Sequence, residues 1–202
     1  MAFPDFYGSV PSITLYDPLA ELLGAAQGGR IDYGYADAVR LAGHSCPTVA
    51  GAYLLAVRML RRLYDDALPE RGNIRVEFRA SQGDGVTGVI ASVFGLLTGA
   101  AGEGGFKGLG GRYGRRNLLV FGIGSLAGEV RLTRLDNGTT VAASLDLSPV
   151  PGNPAIAELL GAILTDQAGD GERAQFARLW QERVQRLLLE FFNHPAVVRF
   201  AG

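Results

Sequence analysis

A single cysteine and two histidines are all the thiolate and imidazole ligands that these 202 residues contain. One cysteine closes no internal disulfide, and a leftover thiol is a liability in an oxidising compartment, so the expected location is the cytoplasm. Net charge is also missing: Lys+Arg 19 against Asp+Glu 20 leaves −1. No global field would steer such a chain to nucleic acid, and no basic run marks it for a membrane surface. No apolar run reaches the roughly 18 residues of a spanning helix. The start, Met1 to Gly8, lacks the basic and apolar regions of a signal peptide. The chain therefore reads as a soluble cytoplasmic protein with no nucleic-acid or membrane partner.

Apolar residues are plentiful. At 48% hydrophobic content the chain fills one good core, and its length favours one domain over residues 1–202. Helical spacing predicts a first helix over Pro18 to Ala26, with Asp17 as N-cap and Pro18 in the first position. A second runs from Tyr35 to Leu41. The third, Thr48 to Tyr64, repeats apolar residues at three and four and carries no charge from Val49 to Val57. A helix apolar on every side is buried on every side, whereas Arg58, Arg61, Arg62, Asp65 and Asp66 carry its far end into solvent.

The alternation in Ile74 to Ala80 predicts a half-buried strand, followed by a turn at Gln82 to Gly85 and a small-residue helix over Val86 to Thr98. Leu118 to Phe121, apolar on both faces, suits a central strand within Asn117 to Ile123. Asp136-Asn137-Gly138 predicts a hairpin between Glu129–Leu135 and Thr139–Leu147. The prolines of residues 148–154 mark a loop, after which Ala155 to Leu164 and Glu172 to Asn193 are helical. Residues 150–202 thus form a helical C-terminal extension, and the apolar surface of its last helix suits a core or a subunit interface. The element order argues for an α+β fold.

The cysteine and one histidine stand together in Gly43-His44-Ser45-Cys46-Pro47, immediately ahead of an apolar helix. Pro47 suits the first helical position, which places Cys46 near the N-cap, where unpaired N–H groups favour an anion. Imidazole and thiolate are versatile ligands for zinc and similar divalent metals, and a bend can aim both at one ion where a helix cannot. The buried helix predicts a sheltered position for the pair. Two ligands are half of a tetrahedral site. Asp84, in its glycine-flanked turn, is a candidate oxygen ligand, while nothing ties His194 to His44. The plainer reading makes Cys46 a small buried hydrophobe and His44 a hydrogen-bonded loop residue. Two further readings make Cys46 a nucleophile activated by His44, or a haem-thiolate ligand.

A second feature is the glycine-rich run of residues 99–116. Lys107, Arg112, Arg115 and Arg116 are suited to a phosphate or carboxylate, with Lys107 and Arg112 the candidate anion-binding residues. The run lacks Gly-Lys-Ser/Thr and follows a helix, the reverse of the phosphate-loop order. A surface loop is the simpler reading.

On these residues the chain resembles the FmdE family, the proteins associated with formylmethanofuran dehydrogenase together with their stand-alone relatives. The shared pattern is Gly43-His44-Ser45-Cys46-Pro47 at the start of a small-residue helix with Gly51, the strand Ile74 to Ala80, Leu97-Thr98-Gly99, Arg115-Arg116-Asn117-Leu118, and a final helix with Phe176, Trp180 and Arg183. Ala42 stands where the family has a first histidine and Thr48 where it has glycine. A cysteine that many members carry near Asp84 to Val89, and the four-cysteine zinc ribbon of longer members, are not present. The resemblance implies an α+β domain shaped like the catalytic domain of glyceraldehyde-3-phosphate dehydrogenase. It also implies a homodimer and a zinc or other divalent ion held by His44 and Cys46, with a position open to a small-molecule ligand. The reaction stays open, as does a non-catalytic accessory role beside a redox enzyme.

Overall fold

Gly43 and Pro47 set the frame of the molecule. Gly43 adopts a left-handed φ of 75° that ends one helix, and Pro47 opens the next at its first position, where a missing N–H is harmless. The computed structural model describes residues 3–201. In it α3 (Pro47–Tyr64) is the axis of the core, and every residue from Val49 to Val57 is buried, as an uncharged helix requires. Arg61, Arg62, Asp65 and Asp66 at its far end are exposed.

Around this axis lie α4 (Thr87–Thr98), the main sheet and α6 (Asp170–Leu189). The sheet has the order β4-β3-β5-β6-β7, formed by Leu119–Val120, Ile74–Phe78, Val130–Arg134, Thr140–Leu145 and Val198–Phe200. β3 and β4 are parallel and the other pairs antiparallel. A two-stranded ribbon, β1 (Ile13–Tyr16) with β2 (Arg30–Tyr33), stands beside the sheet. Helices against a mixed sheet make an α+β fold. Gly51 lets the sheet approach α3, since a Cβ there would meet Leu145 Cδ2 at 2.7 Å.

Four sequence expectations change. The first helix, α1 (Pro18–Leu22), stops early because Gly24 turns left-handed and Leu22 and Leu23 find no core to enter. Leu118 to Phe121 yields only two residues of strand, and at the sheet edge rather than its centre. Positive φ at Asn117 and Gly122 brackets it, and its apolarity serves local packing, with Phe121 stacked on Phe78 at 5.3 Å. The last helix begins at Asp170 because Glu172 accepts the Gly169 N–H, and it ends at Leu189. The C-terminal stretch is helical through α5 (Ala155–Leu164) and α6, then returns as strand β7 against β6. The Asp136-Asn137-Gly138 hairpin forms as expected, with Gly138 at φ 75° and Thr133 paired with Thr140. No helix among the described residues is long and apolar enough to cross a membrane.

Candidate functional site

The turn between α2 (Tyr35–Ala42) and α3 holds His44 and Cys46. Cys46 is the N-cap of α3: its Sγ accepts the Val49 N–H at 3.4 Å, and its carbonyl accepts the first helical bond from Ala50. His44 Nδ1 lies 3.0 Å from the Ala42 carbonyl. A carbonyl only accepts, so Nδ1 is the donor in this contact, and Nε2 has no partner among the described residues. The pair is less sheltered than a buried helix suggests, with His44 exposed and Cys46 half-buried. The reason is that α3 crosses the core from surface to surface, so both its ends reach solvent.

Ser45, the residue between them, is the most engaged of the three. Its carbonyl accepts from Trp180 Nε1 at 3.1 Å and Gln181 Nε2 at 3.3 Å. Its hydroxyl donates to Gln181 Oε1 at 3.1 Å and meets the Tyr35 hydroxyl at 2.8 Å. Tyr7 also reaches Gln181 Oε1, at 3.4 Å. Burial pushes the Tyr35 hydroxyl well above its ordinary pKa, so it stays neutral. Helix α6 thereby clamps the backbone from which His44 and Cys46 project. Sequence reasoning missed Ser45, Tyr35 and Gln181; the lone tryptophan of α6 was the available signal.

The surroundings of the two side chains differ. His44 borders a small hollow with Leu41, Ala42, Val89, Ser92 and Val93. Cys46 does not line that hollow and packs against the core instead. Asp84 uses its carboxylate on the Ser81 N–H within its own turn, and His194 Nδ1 accepts the Ala196 N–H. No group of three or more His, Cys, Asp or Glu able to hold a metal exists among the described residues. His44 and Cys46 suit a zinc-like ion in type and number two of the four donors a closed site needs. Among the described residues no hydrogen bond joins His44 to the thiol, as a cysteine nucleophile and its base would require.

The glycine-rich run builds something else. Lys107 is exposed, and Arg112 is exposed above the ring of Tyr113. Arg112 borders a cavity of about 230 Å³ with Glu70, Arg71 and Arg115, which Lys107 does not reach. Arg115, 8% exposed, turns inward to donate from Nη2 to Asp17 Oδ1 at 2.8 Å. Asp17 also accepts from Arg71, whose remaining nitrogens donate to the Leu96 and Leu97 carbonyls at the end of α4. Burial opposes ionisation of Asp17, but the Ala20 N–H and the two guanidinia hold its pKa below the usual carboxylate range. Burial in turn lowers the Arg115 pKa. Gly72 and Gly99 make room for this guanidinium, since a Cβ on either would collide with Nη1. The cluster ties the start of α1, the end of α4 and the loop together.

The chain matches no family model, no curated protein and no solved structure.

Proposed function

We propose that this is a metal-binding protein of the kind its likeness to the FmdE family implies. His44 Nε2 and Cys46 Sγ are the donors of one zinc-like divalent ion, and the remaining donors come from outside the chain. The observation that carries this reading is the Nδ1 contact of His44 with the Ala42 carbonyl. A backbone carbonyl on the second ring nitrogen is the usual way a ligating histidine is oriented. The clamp on Ser45 supports it, because ligands need a backbone held in place.

Two sources of further donors suit the exposed site. A small-molecule ligand would complete it within one chain. A two-fold homodimer would instead double the pair to two histidines and two cysteines, a tetrahedral zinc set. When bound, such an ion acts as a structural staple or, with a position left open, as a Lewis acid.

Elemental analysis after zinc-supplemented, chelator-free preparation tests the reading. The expected result is stoichiometric zinc that the His44→Ala/Cys46→Ala variant loses. One zinc per chain indicates the ligand-completed site, and one per two chains the homodimer. Equal and negligible metal in both proteins would sink the proposal.

A second reading, favoured by the count of two donors and by Ala42 in place of a histidine, is a non-catalytic accessory subunit with a degenerate site. It expects a chelator to leave thermal stability and partner binding unchanged.

A further inference from the structure

The largest cavity described lies away from the His44–Cys46 turn. It has a volume of about 500 Å³ and opens between the first turn of α4 and the sheet. Its wall is Leu55 of α3, Phe78 of β3, Val130 of β5, and Leu145 and Leu147, closed on the other side by Ile90. Leu55, Phe78 and Val130 are buried residues of the core, so this wall is held rigidly. A concave apolar wall of this size with a few polar groups at its mouth is the usual form of a small-molecule site.

Three polar residues border the cavity: Arg79, Thr87 and Glu129. The backbone beneath it holds Arg79 in place. Gly128 passes so close to β6 that a Cβ there would lie 2.6 Å from the Ala143 carbonyl oxygen, and this approach puts the Gly128 carbonyl under the guanidinium. That carbonyl accepts from Arg79 Nε at 2.9 Å and Nη2 at 2.6 Å. Nη1 has no partner among the described residues, and no carboxylate among them pairs with Arg79. Glu129 is differently placed: one of its carboxylate oxygens already accepts the Leu145 N–H at 3.0 Å. The first turn of α4, which no side chain caps, borders the same mouth and adds a further preference for negative charge.

We propose that this cavity binds a small amphipathic carboxylic acid, its apolar body against Leu55, Phe78, Ile90 and Val130 and its carboxylate at Arg79 Nη1. The Glu129 charge at the same mouth selects against ligands with a second negative charge, such as phosphate esters. Val86, 51% exposed at the rim, is the apolar residue a bound body would cover. This inference is independent of the metal proposal, since neither His44 nor Cys46 lines the cavity.

The test uses anilinonaphthalene sulfonate, an aromatic body with one anionic group, as a fluorescent probe of the full chain. Saturable binding of one probe per chain is expected, with displacement by octanoate. Ile90→Trp and Val86→Trp, which fill the cavity from two positions, should each abolish binding while the melting transition is kept. Arg79→Gln should weaken octanoate about fivefold or more, as loss of a charged hydrogen bond does, and leave competition by octanol nearly unchanged. Absence of saturable binding to the wild type, or binding indifferent to both tryptophan variants, would overturn the proposal. So would self-association that Val86→Trp abolishes, which would give this face to a second copy of the chain.

Discussion

Around Asp17 the chain sets one carboxylate between two guanidinia, with Asp17 and Arg115 buried and Arg71 half-buried, whereas around His44 it leaves an imidazole in solvent with no partner for Nε2 among the described residues. Asp17 comes from the start of α1, Arg71 from the loop before β3 and Arg115 from the glycine-rich run, so the cluster joins segments that are far apart in sequence. Buried charges survive only when paired and hydrogen-bonded, and here Asp17 does the pairing, with Arg115 Nη1 left without a partner among the described residues. The turn at His44 and Cys46 has its backbone clamped and its side chains left under-used. Charge that is paired across distant segments inside the fold marks architecture; a donor left over on an exposed side chain with a clamped backbone marks a place for something else to bind.

The contrast breaks most sharply at Asp17. Asp17→Ala strands the buried Arg115 guanidinium, takes a partner from the half-buried Arg71 and removes the α1 cap, so urea unfolding should show a loss of about 3–5 kcal/mol. A loss under about 1 kcal/mol would mean that the cluster is not internally matched. The same carboxylate sets an acid limb. It binds its proton more weakly folded than unfolded, so its contribution is present above the ordinary carboxylate range. That contribution disappears as the pH falls through the lowered folded value. Stability measured against pH should therefore fall less steeply on the acid side in Asp17→Asn than in the wild type.

Gly72→Ala attacks the same cluster through space. Gly72 has φ 81° and its Cβ would collide with the Arg115 guanidinium. A loss of about 1–3 kcal/mol is expected in the same unfolding experiment, and a neutral effect would show that Arg115 shifts freely. At the other site the effects on stability are smaller. Cys46→Ala removes an N-cap and should cost about 1 kcal/mol, while Cys46→Ser keeps a capping atom and should cost little. His44→Ala, at an exposed ring, should stay within about 0.5 kcal/mol. If His44→Ala proved as damaging as Asp17→Ala, the imidazole would be architectural and the contrast would vanish.

Much of the fold was legible because its signals are local. Pro47, Gly43 and the uncharged run Val49 to Val57 define α3, and Asp136-Asn137-Gly138 defines a hairpin, with no knowledge of the rest of the chain. The ribbon of β1 and β2 was not legible, since four-residue strands separated by a helix and a 3₁₀ turn carry too short a period. The same holds for β7. At the candidate site, the cysteine N-cap was readable from Cys46-Pro47, and the donor types from His44 and Cys46. What surrounds them was not. The clamp on Ser45 comes from Trp180 and Gln181, some 135 residues away, and no local pattern announces a contact made at that distance. In the sequence Arg115 stands among cations suited to an anion in a loop, and nothing local shows that its partner is Asp17, 98 residues earlier.

The sequence by itself determined where α3 begins, that it forms the core axis, and which two side chains stand at its start, because caps, prolines and hydrophobic period act over a few residues. Only the tertiary structure decided which distant charges pair, how exposed His44 is, and where an apolar cavity opens beside Arg79, whose guanidinium has one nitrogen unpartnered among the described residues. Those properties belong to the packing of segments distant in the chain, and a pairing such as Asp17 with Arg115 exists only once the core has brought them together.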